Sequence, residues 1–416
     1  MAHIRKANGL VDWLDQRLAV HKLLDVLMVK YWIPKQINFL WAMGVILTTL
    51  FTVLFITGLL LVMYYKPDTA LAFDSVNKTI MQEVEYGWLW RHMHGVAASV
   101  IFLIIYIHML TGIYYGSYKR GREMIWVSGM LLFVVFSAEA FSGYMLPWGQ
   151  MSYWAAQVIT NLFGGIPLIG PELVIWIRGD YAVSDPTLTR FFMLHVCLLP
   201  IVIIAIIAFH FYSLRIPHVN NEIAEELDFD LEAEKYMAGD TKGSKVIPFW
   251  PGFLSKDFMY ICLFMIFFFY LVSFKFSFAM DPINFDPANA LKTPAHIYPE
   301  WYFLWSYEVL RGFFFDIAGI KAFDIGLAAF GIAQIIFFLL PWLDRSDVVK
   351  PAHKRPLFFI WFWVLLIDLI VLTIYGKLPP TGVNAWVGFY ASIIFLLLFI
   401  VVLPVITIME RKGAKQ

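Results

Sequence analysis

Long hydrophobic segments alternate with polar segments along most of the chain. Eight of them are apolar over at least 20 residues, a length that lets an α-helix cross the hydrocarbon core of a bilayer. We predict membrane-spanning helices, called spans one to eight, at residues 37–65, 91–115, 124–146, 189–213, 257–278, 321–341, 357–376 and 384–407. The pattern therefore predicts an all-α membrane protein with eight transmembrane helices.

The composition supports a membrane protein. Hydrophobic residues make up 60% of the 416 and charged residues 15%, a balance that excludes a soluble globular protein. The formal net charge is zero, so overall charge indicates the lipid bilayer and no nucleic acid as a partner. Cys197 and Cys262 stand alone in apolar segments and there is no CxxCH motif, which argues against disulfides, a zinc site and covalently attached haem.

The distribution of charge predicts an orientation. Most of the 31 lysines and arginines lie in the terminal segments and in alternate loops, which places both termini in the cytoplasm. Spans two and four then both run from the outer side to the inner side. The predicted parts are an N-terminal cytoplasmic amphipathic segment, a four-helix bundle, a partly acidic cytoplasmic linker and a C-terminal four-helix domain, at residues 1–36, 37–213, 214–256 and 257–416. In the first part, apolar residues recur near helical spacing at Val11, Leu14, Leu18, Leu23, Leu24, Leu27 and Met28.

Four histidines lie inside the predicted bundle. Span two carries His94 and His108, 14 residues apart, and span four carries His195 and His210, 15 residues apart. These spacings place the two histidines of each helix near the same face and about 21–22 Å apart along the helix axis. Because the spans are parallel, His94 lies level with His195, and His108 with His210. Neutral imidazole binds iron well, so the pattern predicts two non-covalent b-type haems, one outer and one inner. The alternative is four separately hydrogen-bonded core histidines.

Glycines and arginines accompany the histidines. Span one carries Gly44 and Gly58, and span three carries Gly129 and Gly143, again 14 apart in each. A glycine lets a bulky group approach the backbone closely, so we expect porphyrin edges there, although small-residue helix packing is the alternative. At the outer ends of spans two and four lie two arginines suited to haem propionates or to an ordinary membrane interface, Arg91 and Arg190.

Polar residues at both membrane edges are candidates for quinone chemistry. On the outer side, the carboxylate of Glu300 lies among aromatic residues and is placed to accept a proton from a quinol, although aromatic residues are usual at interfaces. The inner candidates for a quinone-reduction site, with a solvated basic collar as the alternative, are Arg215, His218, Lys256 and Asp257.

With these motifs the chain resembles cytochrome b of the quinol–cytochrome c reductase (cytochrome bc) family over roughly residues 30–400. The most specific matches are GYMLPWGQMSYWAAQVITNLFGGIPLIG, DPTLTRFF and PANALKTPAHIYPEWYFLWSYEVLR, at residues 143–170, 185–192 and 287–311. The resemblance implies that Glu300 accepts the quinol proton, that Tyr144 and Tyr302 line the quinol pocket, and that Asp257 belongs to the inner site. It also implies bifurcated quinol oxidation, a Rieske iron–sulfur protein and a cytochrome c-type subunit as partners, and a homodimeric complex.

Some residues depart from the family pattern. The second histidine pair is spaced by 15, Arg215 stands where mitochondrial members have an inner-site histidine, and Thr111 stands where they have an arginine. Residues 118–123 resemble the chloroplast type, yet all eight spans are fused in one chain. This mixture is typical of a bacterial member in the bacterial inner (cytoplasmic) membrane. Ala155 replaces a common glycine, which predicts weakened binding of methoxyacrylate-type inhibitors.

Two other functions fit part of the pattern. A di-haem b-type anchor that passes electrons from a dehydrogenase or hydrogenase to quinone explains the histidines but not the PEWY motif at residues 299–302. A haem-free secondary transporter uses intramembrane histidines as proton relays, but the matched spacings have no role there.

Overall fold

Eight helices long and apolar enough to cross a membrane dominate the computed structural model, which describes residues 9–19, 28, 30–221 and 226–413. Each coincides with a predicted span: Phe39–Val62, Gly87–Tyr114, Glu123–Met145, Asp185–Arg215, Phe249–Phe274, Ala322–Leu343, Pro356–Lys377 and Val383–Arg411. The predicted all-α membrane fold with eight spans is confirmed. The ends differ from the predicted ends because polar residues such as Asp185 and Arg215 extend the hydrogen-bonded helix beyond its apolar part.

The first four spans form two packed pairs. Span one packs along span two, and span three packs along span four. Ring contacts at two levels of spans two and four connect the pairs. Span five packs against spans one and two, and span six packs against span three, so the C-terminal half lies against the bundle.

Several shorter helices lie between the spans. On the side where span three ends and span four begins, they are Gln150–Leu162 and Gly170–Arg178, and the loop after span five contributes Leu304–Arg311. Gln150 fixes the loop that precedes Glu300: its backbone N–H donates to Asp286 O at 2.9 Å and its Nε2 to Lys292 O at 2.8 Å. The PEWY segment is thereby held against the end of span three.

The segment before span one differs from its prediction. Trp32–Pro34 is a β-strand that pairs antiparallel with Val246–Pro248, and Lys35 Nζ donates to Ser244 O at 2.5 Å. Here the backbone groups are satisfied by pairing with a distant part of the chain, which the helical spacing of residues 1–36 did not indicate. The helix Leu10–Leu18 is present as predicted, whereas Leu23, Leu24 and Leu27 lie outside the described residues. In the linker, Phe229–Met237 forms an α-helix, while Glu222 and Glu225 lie outside the described residues.

A buried ionic cluster joins the two halves on the side of the chain termini. Asp344, after span six, contacts Lys119 Nζ at 2.8 Å and Arg355 Nη1 at 3.0 Å, and Tyr118 OH donates to it at 2.6 Å. Arg355 also binds Glu410 at 2.8 Å. Burial acts to raise the pKa of Asp344, but the cations of Arg355 and Lys119 hold it below its usual value. The loop after span two is thereby attached to the C-terminal domain.

Candidate functional site

The four histidines meet as two pairs. The ring centres of His94 and His195 lie 6.1 Å apart with planes at 78°, and those of His108 and His210 lie 6.4 Å apart at 69°. The level-by-level association expected from the topology is the one that the structure shows. Span four has a π-helical turn at Leu194–Leu198, and this turn accommodates the one extra residue between its two histidines.

The pairs fit axial coordination of an iron. With each coordinating nitrogen about 2 Å from the metal and about 1 Å from its own ring centre, two axial imidazoles need ring centres roughly 6 Å apart. Both observed separations meet this requirement. Among the described residues no three His, Cys, Asp or Glu side chains converge on one point, as an ion held by protein alone requires. Two ligands suffice when a porphyrin supplies the others.

In three of the histidines, Nδ1 is within hydrogen-bond distance of a residue in span one or span three. His94 Nδ1 lies 3.0 Å from Thr57 Oγ1, and His210 Nδ1 lies 2.9 Å from Ser128 Oγ. Each hydroxyl donates its hydrogen to a carbonyl of its own helix, so it accepts from the imidazole. His195 Nδ1 donates to Glu139 O at 3.0 Å. Nδ1 is therefore protonated and Nε2 is the nitrogen available to a metal.

Sequence reasoning missed these partners, although a signal was present. Thr57 directly precedes Gly58, and Ser128 directly precedes Gly129. A hydroxyl residue followed by glycine places a hydrogen-bond acceptor beside a position without a side chain, which suits an imidazole lying flat on the helix. Glu139 lies one turn before Gly143 and is a charged residue inside an apolar span, itself an indication of function.

The glycines contact imidazoles, which differs from the expected contact with porphyrin edges. A Cβ at Gly58 would lie 3.4 Å from His94 Cε1, and one at Gly129 would lie 3.2 Å from His210 Cε1. A Cβ at Gly143 would overlap the His195 ring. No atom outside the local helix lies within 4 Å of a Cβ built at Gly44. Three of the four glycines thus let the histidine rings lie against spans one and three.

One cavity joins the outer histidine pair to the PEWY segment. Its lining includes His94, His195 and Glu300, and also Arg91, Gly58, Gly143, Tyr144 and Tyr302. Arg190 is not among its lining residues: this exposed side chain donates to Trp176 O. The structure therefore brings Arg91 to the outer histidines, while the helix Gly170–Arg178 engages Arg190.

The carboxyl of Glu300 is electrostatically poised within this cavity. Burial, together with the nearby carboxylate of Asp281, raises its pKa to about 7, against the opposing effects of a hydrogen bond from Tyr144 and the charge of Lys377. A carboxyl with this pKa exchanges protons readily near neutral pH. Asp281 follows span five and was not singled out in the sequence, although an acidic residue before Pro282 at a membrane edge is an unusual feature.

The aromatic residues of the PEWY segment are fixed by span two. The Tyr302 ring stacks on Phe102 with centres 4.0 Å apart and planes at 4°. Trp301 Nε1 donates to Ser99 Oγ at 2.8 Å. Burial and the charge of Glu300 raise the pKa of Tyr302 well above its usual value, so its phenol stays protonated. Tyr302 is itself buried.

The inner candidates separate into two groups. The Arg215 guanidinium lies 4.0 Å from the Tyr31 ring centre, and the His218 ring stacks between Tyr31, at 5.3 Å, and Phe229, at 4.6 Å. Burial lowers the pKa of His218 below its usual value. Lys256 is exposed, and the neighbouring Asp257 is buried, with its Oδ1 lacking a partner in the described part of the chain. The alternative of a solvated basic collar therefore fits Lys256. It does not fit Arg215, which packs against aromatic rings.

Comparisons with known proteins agree with this arrangement. Residues 28–217 match the family model described as cytochrome b/b6/petB, and residues 287–396 match that of the C-terminal domain of cytochrome b/b6/petD. The cytochrome b of Rickettsia typhi is 40% identical over 99% of this chain and 97% of its own length. That of Rhodobacter capsulatus is 40% identical over 98% of this chain and 94% of its own.

A solved structure gives the same result. A chain of a structure titled hyperthermophilic respiratory Complex III superposes with a TM-score of 0.87 at 38% identity, covering 97% of this chain and 100% of that one. Likeness of this extent includes both the histidine-bearing bundle and the C-terminal spans. The chain therefore belongs to the cytochrome b/b6 family and is a haem-binding, redox-active membrane subunit of respiratory electron transport.

Proposed function

We propose that the chain oxidises quinol at the outer side of the membrane and passes electrons to quinone at the inner side, within a respiratory quinol–cytochrome c reductase. The observation that carries the proposal is the cavity shared by His94, His195 and Glu300. This cavity supports the proposal because a carboxyl that can accept a proton and two candidate haem ligands line the same space. Oxidation outside and reduction inside contribute to the proton-motive force.

His94 and His195 would hold an outer b-type haem, and His108 and His210 an inner one. Bound there, the two haems supply stepwise electron transfer across the low-dielectric bilayer. Arg91 lies where it can pair with an outer propionate. Arg190, bound to Trp176 O, is assigned to a propionate by the sequence argument alone. Gly44, Gly58, Gly129 and Gly143 keep spans one and three clear of the histidine rings and the macrocycles.

At the outer site, Glu300 accepts a proton from the bound quinol. The hydrogen bond with Tyr144 orients its carboxyl, and Tyr302 closes the pocket wall against Phe102. Most of the cavity lining is apolar, so Glu300 and the neighbouring tyrosines are the candidate groups for the first proton transfer. At the inner site, Asp257, His218, Arg215 and Lys256 would supply the polar contacts and protons for quinone reduction.

The partners and the membrane location that we propose are those of the cytochrome b family. A Rieske iron–sulfur protein takes one electron per quinol and a cytochrome c-type subunit receives it, in a homodimeric complex. The location is the bacterial inner membrane with both termini in the cytoplasm, which the positions of the lysines and arginines support.

Separate removal of the two histidine pairs tests the assignment. In purified membranes, His195→Leu should abolish the spectral component of the outer haem and retain the inner one, and His210→Leu should do the reverse. His353→Leu, an exposed histidine beside Tyr114, is the control and should retain both. Loss of the same component in both bundle variants would contradict the pairing.

A further inference from the structure

A second cavity lies between the bundle and the C-terminal domain. Its volume is about 260 Å³, and residues of spans two, three, six and seven line it together with two tryptophans of the segment that follows Glu300. Its lining has no residue in common with that of the cavity that contains Glu300. Where the two cavities adjoin, Tyr106 lines the second and Tyr302 the first, and the Tyr106 hydroxyl donates to Tyr302 O.

The lining of the second cavity is suited to hydrocarbon. Its hydroxyl and indole groups all donate to partners in the protein: Tyr106 to Tyr302 O, Trp305 to Tyr106, Trp301 to Ser99 and Thr373 to Leu369 O. The other described lining residues are aliphatic, methionine or phenylalanine. Apolar cavities of this kind stay dry, and one of about 150 Å³ is large enough to admit benzene. The cavity therefore offers contacts to a hydrocarbon and no free hydrogen-bonding side chain to a polar ligand.

The cavity is elongated along the membrane normal and opens toward lipid. Its lining runs from Tyr106 to Ile113 on span two and from Leu366 to Ile374 on span seven. At 1.5 Å per residue, these stretches rise by about 10 and 12 Å. On span seven, Ile370 and Ile374 line the cavity and are 52% and 53% exposed. Because span seven crosses the bilayer, the side chains at this opening face lipid acyl chains.

We propose that this cavity is a binding site for one acyl chain of a membrane phospholipid, which enters from the bilayer beside span seven. The chain lies parallel to the spans and fills the space behind Trp301. An empty space there would deprive the lining side chains of contacts on one side. This site is additional to the quinol and quinone sites and does not rest on them.

The hydrocarbon tail of a quinol is the other candidate occupant, and the wall between the cavities argues against it. The Tyr302 ring stacks on Phe102 with centres 4.0 Å apart, and Tyr302 O accepts from Tyr106. A quinol whose ring lies beside Glu300 would have to pass its tail through these contacts to reach the second cavity. A phospholipid chain reaches it directly from the bilayer.

The test is photolabelling of the purified complex in phosphatidylcholine vesicles that contain phosphatidylcholine with a diazirine in one acyl chain. Labelled residues are located by mass spectrometry. In the wild type we expect label on Met109, a lining residue of span two, and on the exposed Ile370. Leu369→Trp places an indole in the cavity, so the label on Met109 should be lost and that on Ile370 retained. The control Ile360→Trp, at an exposed position of span seven outside the lining, should keep both.

Label on Met109 that is unchanged in Leu369→Trp, or label confined to exposed residues in the wild type, would overturn the proposal. Label on Met109 from a quinone with a diazirine in its tail, and none from the phospholipid, would also overturn it, because the occupant would then be the substrate. If thermal unfolding shows that Leu369→Trp does not fold, Thr373→Phe fills the same cavity and is compared by the same criteria. The measurement requires no turnover, so its outcome is independent of the proposed function.

Discussion

Glu300 is the residue whose chemistry depends most directly on its surroundings. Since its pKa is raised to about 7, its carboxylate, the form able to accept a proton, becomes populated as the pH rises through 7. We expect quinol oxidation to accelerate over that range in the wild type. Glu300→Gln should turn over slowly, retain both haems and lack this inflection, as measured by pre-steady-state haem reduction. Unchanged turnover across pH would remove Glu300 from the proton path.

Asp281 provides a second test of the same site. Its negative charge contributes to the raised pKa of Glu300, so removing that charge should lower the pKa. In Asp281→Asn the inflection of quinol oxidation should move to a more acidic pH. Asp286→Asn, in the same loop, is the control. A shift toward alkaline pH would contradict the electrostatic explanation.

The side chain at position 155 should determine how tightly one class of inhibitor binds. Its side chain is buried in the helix Gln150–Leu162, at the position where the sequence resemblance led us to expect glycine. Ala155→Gly removes the methyl group that should clash with a methoxyacrylate-type inhibitor, so we expect inhibition at lower concentrations. The control is Ala156→Gly, which destabilises the same helix by a similar amount and should leave sensitivity to the inhibitor unchanged. Equal inhibition of Ala155→Gly and wild type would refute the clash.

The histidines were predictable from the sequence, and their partners were not. His94, His108, His195 and His210 show their pairing through helical periodicity and chain direction alone. Thr57, Ser128 and Glu139 act through side-chain directions between neighbouring helices, which depend on how the helices rotate when they pack. Asp281 approaches Glu300 through a loop, whose path has no periodicity to indicate it.

At the scale of elements, close approach of helices and rings is the critical feature. Gly143→Ala would place a methyl group in the His195 ring and Gly129→Ala one at 3.2 Å from His210, so we expect reduced haem retention, more severe at Gly143. Gly331→Ala, in span six with no neighbour within 4 Å, is the control. Haem per polypeptide after purification is the measurement, and equal retention in all three variants would contradict the packing argument.

The spans were predictable because length and apolarity are local properties, and a membrane leaves helices as the stable way to satisfy the backbone. The strands Trp32–Pro34 and Val246–Pro248 were missed because each is three residues long and its partner is far away in sequence. The outer helices Gln150–Leu162 and Leu304–Arg311 fell within loops for a similar reason. Leu304–Arg311 packs against spans six and seven, and Gln150–Leu162 packs against the end of span three and the segment Pro282–Phe285.

At the scale of the whole molecule, the ionic cluster around Asp344 joins the bundle to the C-terminal domain. Asp344→Asn removes the carboxylate that Lys119 pairs with and leaves Arg355 with Glu410 alone, which should lower the unfolding free energy by about 3–5 kcal/mol. The control Asp347→Asn breaks a solvent-exposed pair with Arg411, at 2.8 Å, and should cost less than about 1 kcal/mol. Thermal unfolding in detergent measures both, and equal effects would contradict the role of the cluster.

The number of haems per chain tests the central claim most directly. A pyridine haemochrome assay on the purified complex, with a redox titration of the b-type band, should give two haems per polypeptide that titrate separately. This result follows from two histidine pairs whose ring separations each suit one iron. One haem, or none in a folded preparation, would contradict the account.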